Sequence, residues 1–280
     1  MLRTRVLTAV AAVVVVLGML FLTSPAVWAL FVLAIALVGC WEWSRMCKLT
    51  PGGHTAYLAS SAAIGAYLWL AYVGIVPVNF PAAAMTGFIV AAVLWLFVAP
   101  WWLARKLRPS PSACAATGWV VVWPTWLAFV ILRDISPWLL LALAALVWVA
   151  DIAAYFAGRR FGRRKLAPAV SPGKTWEGVY GALAGVAVYG VILAYVSNTH
   201  QTPLSAIFAG GRAFGAIAIM LLLAGVSVVG DLFESWMKRG AGLKDSSNLL
   251  PGHGGVLDRI DALTSSLPVA ALALSLGSLA

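Results

Sequence analysis

V-G-D-L-F-E-S-W-M-K-R-G-A-G-L-K-D-S-S-N-L-L-P-G-H-G-G-V-L-D-R-I-D, residues 229–261, is the most polar part of an otherwise apolar chain. It leaves one apolar run and enters another. It holds five of the nine acids of the chain, Asp231, Glu234, Asp245, Asp258 and Asp261, beside Lys238, Arg239, Lys244, Arg259 and His253. Carboxylates, cations and glycines crowded where apolar sequence stops suit the binding of a metal ion and a polyphosphate.

On either side of this segment the composition is that of a membrane protein. The 280 residues are 62% hydrophobic and 10% charged, against roughly 25% charged in a soluble domain. Several apolar runs approach or exceed the roughly 20 residues that cross a bilayer, and the short alternating strands of a membrane β-barrel are absent. The fold class expected is an all-α polytopic membrane protein with about nine transmembrane helices and a cytoplasmic N-terminus. The spans are placed at 7–23, 25–43, 57–76, 81–103, 117–132, 137–156, 178–196, 213–230 and 262–279. Arg3 and Arg5 ahead of the first run resemble a signal peptide, but the run is long and a second follows at once, which reads as an uncleaved hairpin. Pro124 falls inside the fifth span, where a kink is expected.

Charge supports this topology. With the N-terminus inside, the cytoplasmic segments are 1–6, 44–56, 104–116, 157–177 and 231–261. All of the 19 Lys and Arg residues except Arg133 and Arg212 fall within them, as the positive-inside rule requires. The net charge of +10 is therefore read as membrane topology and not as nucleic-acid binding. Two regions are expected, helices 1–5 in residues 1–136 and a catalytic region in 137–280 that carries the loops 157–177 and 231–261. Cys40, Cys47 and Cys114 have neither metal-ligand spacing nor an even count and are assigned no role. Most of the 14 tryptophans are expected at the membrane interfaces.

A second polar segment runs from Asp151 to Gly178, D-I-A-A-Y-F-A-G-R-R-F-G-R-R-K-L-A-P-A-V-S-P-G-K-T-W-E-G. Asp151 lies inside an apolar run, where an acid either serves function or pairs with a cation such as Arg159. Arg159, Arg160, Arg163, Arg164 and Lys165 read as anchors that also attract anionic head groups. Gly173-Lys174-Thr175 is not a P-loop, because Pro168 stands where that motif needs glycine, and no strand is expected before it. Ser171 and Pro172 are expected to start a helix whose free N–H groups and Lys174 meet a phosphate; a plain helix cap is the alternative.

Within residues 229–261, a continued helix would place Asp231, Glu234, Ser235 and Lys238 on one face. Asp258 and Asp261 are spaced i,i+3 at the start of the last span. Antiparallel packing is expected to bring Asp231 close to Asp258, where two carboxylates repel unless a cation lies between them. Oxygen ligands open to phosphate favour Mg²⁺; an ion-pair network without metal is the alternative. Gly240, Gly242, Gly252, Gly254 and Gly255 allow close approach of backbone to a ligand. His253 is a candidate contact to a phosphate or base, while His54 and His200 lack polar company.

The pattern S-W-M-K-R-x-x-x-x-K-D-S-S-N-L-L-P-G-H-G-G-V-L-D-R-I-D, residues 235–261, resembles the signature of the phosphatidate cytidylyltransferases (CDP-diacylglycerol synthases). The segment from Asp151 to Gly178 is similar to the same family, and the N-terminal half only in hydropathy. The resemblance implies the reaction of CTP with phosphatidic acid to give CDP-diacylglycerol and pyrophosphate, with Mg²⁺ and room for a second cation. It implies metal binding by Asp231 and Asp258, to which Asp261 is added. Ser171, Lys174 and Thr175, and the run that includes Lys238, Arg239, Lys244 and Asp245, are associated with the substrates' phosphates; Ser235, His253 and Arg259 complete the candidate set. Asp231, Asp258, Lys238 and Lys244 are the expected catalytic residues. The resemblance also implies a bacterial inner-membrane protein with its site facing the cytoplasm, in contact with the lipid bilayer and compatible with a homodimer. A CTP-dependent lipid kinase and an ion-coupled transporter are the alternatives.

Overall fold

The computed structural model describes residues 2–209 and 211–277. The chain folds almost wholly into helices: α1 (Leu2–Leu22), α2 (Pro25–Met46), α3 (Pro51–Tyr72), α4 (Phe80–Val93) continued through a π-turn (Leu94–Val98) into α5 (Ala99–Arg105), α6 (Pro111–Ile135), α7 (Pro137–Phe161), α8 (Trp176–Thr199), a short α9 (Ser205–Phe208), α10 (Ala213–Ala241) and α11 (Leu257–Gly277). Seven of these helical stretches are long and apolar enough to cross a membrane. Together with α1 and α3 they account for the nine expected spans. The predicted end of the last span, at 279, lies outside the described residues.

Helix starts follow local chemistry more than hydropathy. Ser24, Thr50, Asn79 and Ser110 each accept a hydrogen bond from the backbone N–H three residues on, and each helix carries proline in its first turn. A small polar cap with proline just inside the helix satisfies free N–H groups and presets φ. α3 and α6 therefore begin at Pro51 and Pro111, about two turns before the predicted positions 57 and 117, because their first turns are polar.

The polar segments are also more helical than expected. α7 continues to Phe161, α10 to Ala241, and α11 begins at Leu257. The predicted loop 231–261 contracts to the residues between Ala241 and Leu257. Gly242 ends α10 with φ +78°, its N–H donating to Arg239 O while Leu243 N–H donates to Lys238 O. This left-handed cap favours glycine.

Contacts at the two ends of the bundle agree with the alternating topology. At one end Cys47 and Cys114 are joined in a disulfide, Trp43 Nε1 donates to Cys114 O, Arg45 donates to Ser246 O, and Trp236 Nε1 donates to Leu107 O. At the other, Arg133 donates to Leu20 O and Thr23 O, and Tyr72 Oη to Asp134. The cysteine pair corrects the reading that gave these residues no role. An odd count does not prevent two thiols from meeting where α2 and α6 pack. The tryptophans also pack between helices. Trp28, Trp43, Trp95, Trp123 and Trp126 are buried, and only Trp101, Trp138, Trp148 and Trp176 are exposed. Indole N–H groups brace helix to helix, as Trp28 does to Phe129 O and Trp126 to Ala29 O.

Helices α7 and α8 pack closely. A Cβ on Gly181 would lie 2.3 Å from Ala157 Cβ and 2.9 Å from Ala153 O, and one on Gly185 would lie 2.7 Å from Ala153 Cβ. Small residues thus let the two backbones touch. α11 packs against α10, α4 and α6, and so joins the C-terminal region to the helices before residue 136.

Candidate active site

Between α7 and α8 the chain forms a two-stranded antiparallel hairpin, β1 (Lys165–Ala167) and β2 (Ser171–Thr175). This overturns the expectation of a helix starting at Ser171-Pro172. Ser171 pairs through its backbone with Ala167, and Lys165 Nζ donates to Pro172 O at 2.8 Å. Helix α8 starts one turn later. Thr175, in extended conformation, accepts from Gly178 N–H as the cap, so the cap alternative holds for Thr175, not for Ser171. Glu177 accepts the backbone N–H groups of Arg163 and Arg164, which fastens the base of the hairpin.

The hairpin carries Lys174 to α10, where its Nζ lies 2.5 Å from Asp231 Oδ2. Two turns further along α10, buried Lys238 bridges Glu234 Oε1 at 3.1 Å and Asp258 Oδ1 of α11. Ser235 Oγ faces Asp231 Oδ1 at 3.4 Å. The expected face of Asp231, Glu234, Ser235 and Lys238 is thus present.

The register of α10 against α11 differs from expectation. A Cβ on Gly230 would lie 2.9 Å from Asp261 O and 2.3 Å from Ser265 Oγ. Asp261 is therefore the α11 carboxylate beside Asp231, and their charges interact. Asp258 stands one turn nearer the helix end, opposite Lys238. Asp231, Asp258 and Asp261 still share one end of the bundle. Asp151 interacts electrostatically with Asp231 and Lys174, while Arg159 bonds Tyr155 Oη instead. The suggested Asp151–Arg159 bridge does not form.

Asp258 is the most constrained of these carboxylates. Its Oδ2 accepts from Ser246 N–H, Ser246 Oγ and Gly255 N–H at 2.8–2.9 Å, and its Oδ1 faces Lys238. Gly254 has φ +84°, and a Cβ there would lie 2.7 Å from Asp258 Oδ2. Beyond it opens a polar cleft of about 670 Å³, lined among others by Lys244, Asp245, Asn248, His253 and Arg259. Four of the predicted residues therefore share one cleft, and Gly254, which packs against Asp258, is part of its lining. His253 N–H donates to Leu250 O, which fixes the turn. Arg239 stands apart: it is exposed and donates to Leu243 O at 3.1 Å, bracing the end of α10. Ser171 remains in the hairpin strand.

Reading the sequence missed Glu42. It is fully buried near the end of α2 and accepts from Ser246, Ser247, Val256 and Leu257. The signal was present: it is an acid inside an apolar run, as Asp151 is.

These features define a polytopic membrane protein whose one charged end offers carboxylates, lysines and a nucleotide-sized cleft. The chain belongs to the cytidylyltransferase family, whose model matches residues 3–276. It is 39% identical to a phosphatidate cytidylyltransferase of Pseudomonas aeruginosa, across 96% of this chain and 95% of that protein. It is 36% identical to one of Haemophilus influenzae, across 96% of both. A phosphatidate cytidylyltransferase of Thermotoga maritima matches half of each chain at 41% identity.

Proposed function

We propose that this protein transfers the cytidylyl group of CTP to phosphatidate, giving CDP-diacylglycerol and pyrophosphate, at the cytoplasmic face of a bacterial inner membrane. Family membership and full-length relatives of that name support the reaction. The single structural observation that supports the reading is the row of ion pairs, Lys174 with Asp231 and Lys238 with Asp258, that joins the hairpin, α10 and α11. Neither the lipid kinase nor the transporter gains support.

In this reading a phosphate oxygen of phosphatidate attacks the α-phosphorus of CTP. The bond from the α-phosphorus to the α,β-bridging oxygen breaks, and pyrophosphate leaves with the electron pair. The nucleophile is already anionic near neutral pH, so no strong base is required. The obstacle is the approach of two anions, and Lys174, Lys238, Lys244 and Arg259 offset it by placing fixed positive charge around the reacting phosphates. The lipid tails remain among the apolar helices while the nucleotide occupies the cleft.

Asp231 and Asp261 would hold Mg²⁺, and Asp258, the third expected ligand, would have to exchange its contact with Lys238 to join them. The fit rests on their chemistry: all donors are hard oxygens, and Asp231 and Asp261 face each other's charge with Lys174 as the neighbouring cation. When bound, the ion polarises the α-phosphate and offsets charge on the departing pyrophosphate. The test is product formation by purified protein with phosphatidate and CTP labelled at either the α- or the γ-phosphate, with and without Mg²⁺. Label from the α position should enter lipid. Transfer of the γ label instead would overturn the reading.

A further inference from the structure

We propose that Glu42 is a positioning residue: from α2 it fixes the segment 246–257 and, through Ser246, the orientation of Asp258. This rests on the reading of Asp258 as an active-site carboxylate. Glu42 Oε1 accepts from Ser247 Oγ at 2.5 Å and Val256 N–H at 2.9 Å; Oε2 accepts from Ser246 Oγ at 3.0 Å and Leu257 N–H at 2.7 Å. Four donors use the whole acceptor capacity of a carboxylate. Its partners lie more than 200 residues away in sequence, and the side chain is completely buried.

Two of those donors are backbone N–H groups at the start of α11, which have no partner within their own helix. Glu42 therefore caps α11 from another helix, and a negative charge suits that helix end. Asp258 belongs to the first turn of the helix so capped. Ser246 Oγ stands between the two carboxylates, 3.0 Å from Glu42 Oε2 and 2.9 Å from Asp258 Oδ2. That hydroxyl has a single proton, so its donation is shared between the two carboxylate oxygens, and the two groups meet at this one atom. Asp258 Oδ2 is thereby committed to the loop, and Oδ1 is left facing the Lys238 side. The fit is tight, because a Cβ on Gly255 would lie 2.0 Å from Ser246 Oγ and 2.4 Å from Glu42 Oε1. Arg45 closes the arrangement by donating to Ser246 O at 2.9 Å.

The test compares Glu42→Gln, Ser246→Ala and the double variant with Asp258→Asn as reference. Glutamine keeps the shape but turns an NH₂ toward either Val256 N–H or Leu257 N–H, neither of which can accept. Amide exchange of residues 255–257 should accelerate about tenfold in Glu42→Gln, the effect of losing one hydrogen bond to a charged group. At saturating substrates kcat should fall at least about tenfold in both single variants, with KM for CTP nearly unchanged. The double variant should be no slower than the worse single variant, because both act through one linkage. Effects that multiply independently, or kcat within about twofold of the parent protein in both single variants, would overturn the proposal. If Glu42→Gln does not fold, Ser246→Ala, which leaves the Glu42 bonds to α11 in place, decides by its kcat alone. Activity retained by Asp258→Asn would instead overturn the reading of Asp258, and this inference with it.

Discussion

Lys174, on strand β2, reaches across to Asp231 of α10 at 2.5 Å. This contact joins the second polar segment of the sequence to α10. A lysine held against a carboxylate is positioned to exchange that partner for a substrate phosphate. Charge-assisted contacts of this kind contribute about 1.5–3 kcal/mol. Lys174→Ala is therefore expected to raise KM for CTP or phosphatidate roughly ten- to hundredfold while membrane insertion is preserved. Steady-state kinetics on solubilised protein checks it, and unchanged KM values for both substrates would exclude a phosphate role.

Asp231→Asn and Asp258→Asn should each remove nearly all CDP-diacylglycerol synthesis, even at saturating Mg²⁺, with normal amounts of protein in the membrane. The measurement is incorporation of α-labelled CTP into lipid. Substantial turnover in either variant would remove that residue from the essential set.

Lys238 answers to stability as well as activity. It is buried between Glu234 and Asp258, and its removal leaves two acids without a cation. Breaking such a buried arrangement costs about 3–5 kcal/mol. Lys238→Met should lower the melting temperature in detergent markedly, and adding Glu234→Gln should recover part of it without restoring activity. Equal melting temperatures for Lys238→Met and the parent would contradict the buried bridge.

Gly254→Ala tests the inner wall of the cleft. The new Cβ would press on Asp258 Oδ2 from a backbone at φ +84°, a conformation that costs a non-glycine residue about 1–2 kcal/mol. Activity should fall further than that strain alone would lower stability. Comparable loss of both would reduce Gly254 to a turn residue.

Much of this was legible in the sequence because the relevant signals are local. The nine spans, the separation of charge, and the helical face of Asp231, Glu234 and Lys238 all follow from spacing. The Thr-Pro and Ser-Pro pairs at 50–51 and 110–111 marked helix starts that hydropathy placed late, whereas the start at Ser24-Pro25 was placed correctly. What stayed hidden depends on tertiary contact. The hairpin has strands of only three and five residues, too short for a periodic signal, and Pro172 imitates a helix start. The pairing of Asp231 with Asp261 in place of Asp258 is a matter of helix register, which spacing within either helix does not determine. Glu42 meets its partners across more than 200 residues, beyond any local pattern.

The glycine seam between α7 and α8 has one more consequence. With backbone against backbone at Gly181 and Gly185, the two helices cannot slide without collision, and they behave mechanically as one plank. The tip of that plank is the Lys174 hairpin. Any travel of Lys174 away from Asp231 must then come from the hairpin flexing on its Glu177 clasp or from the whole plank tilting, so the helix seam sets how far that lysine can reach.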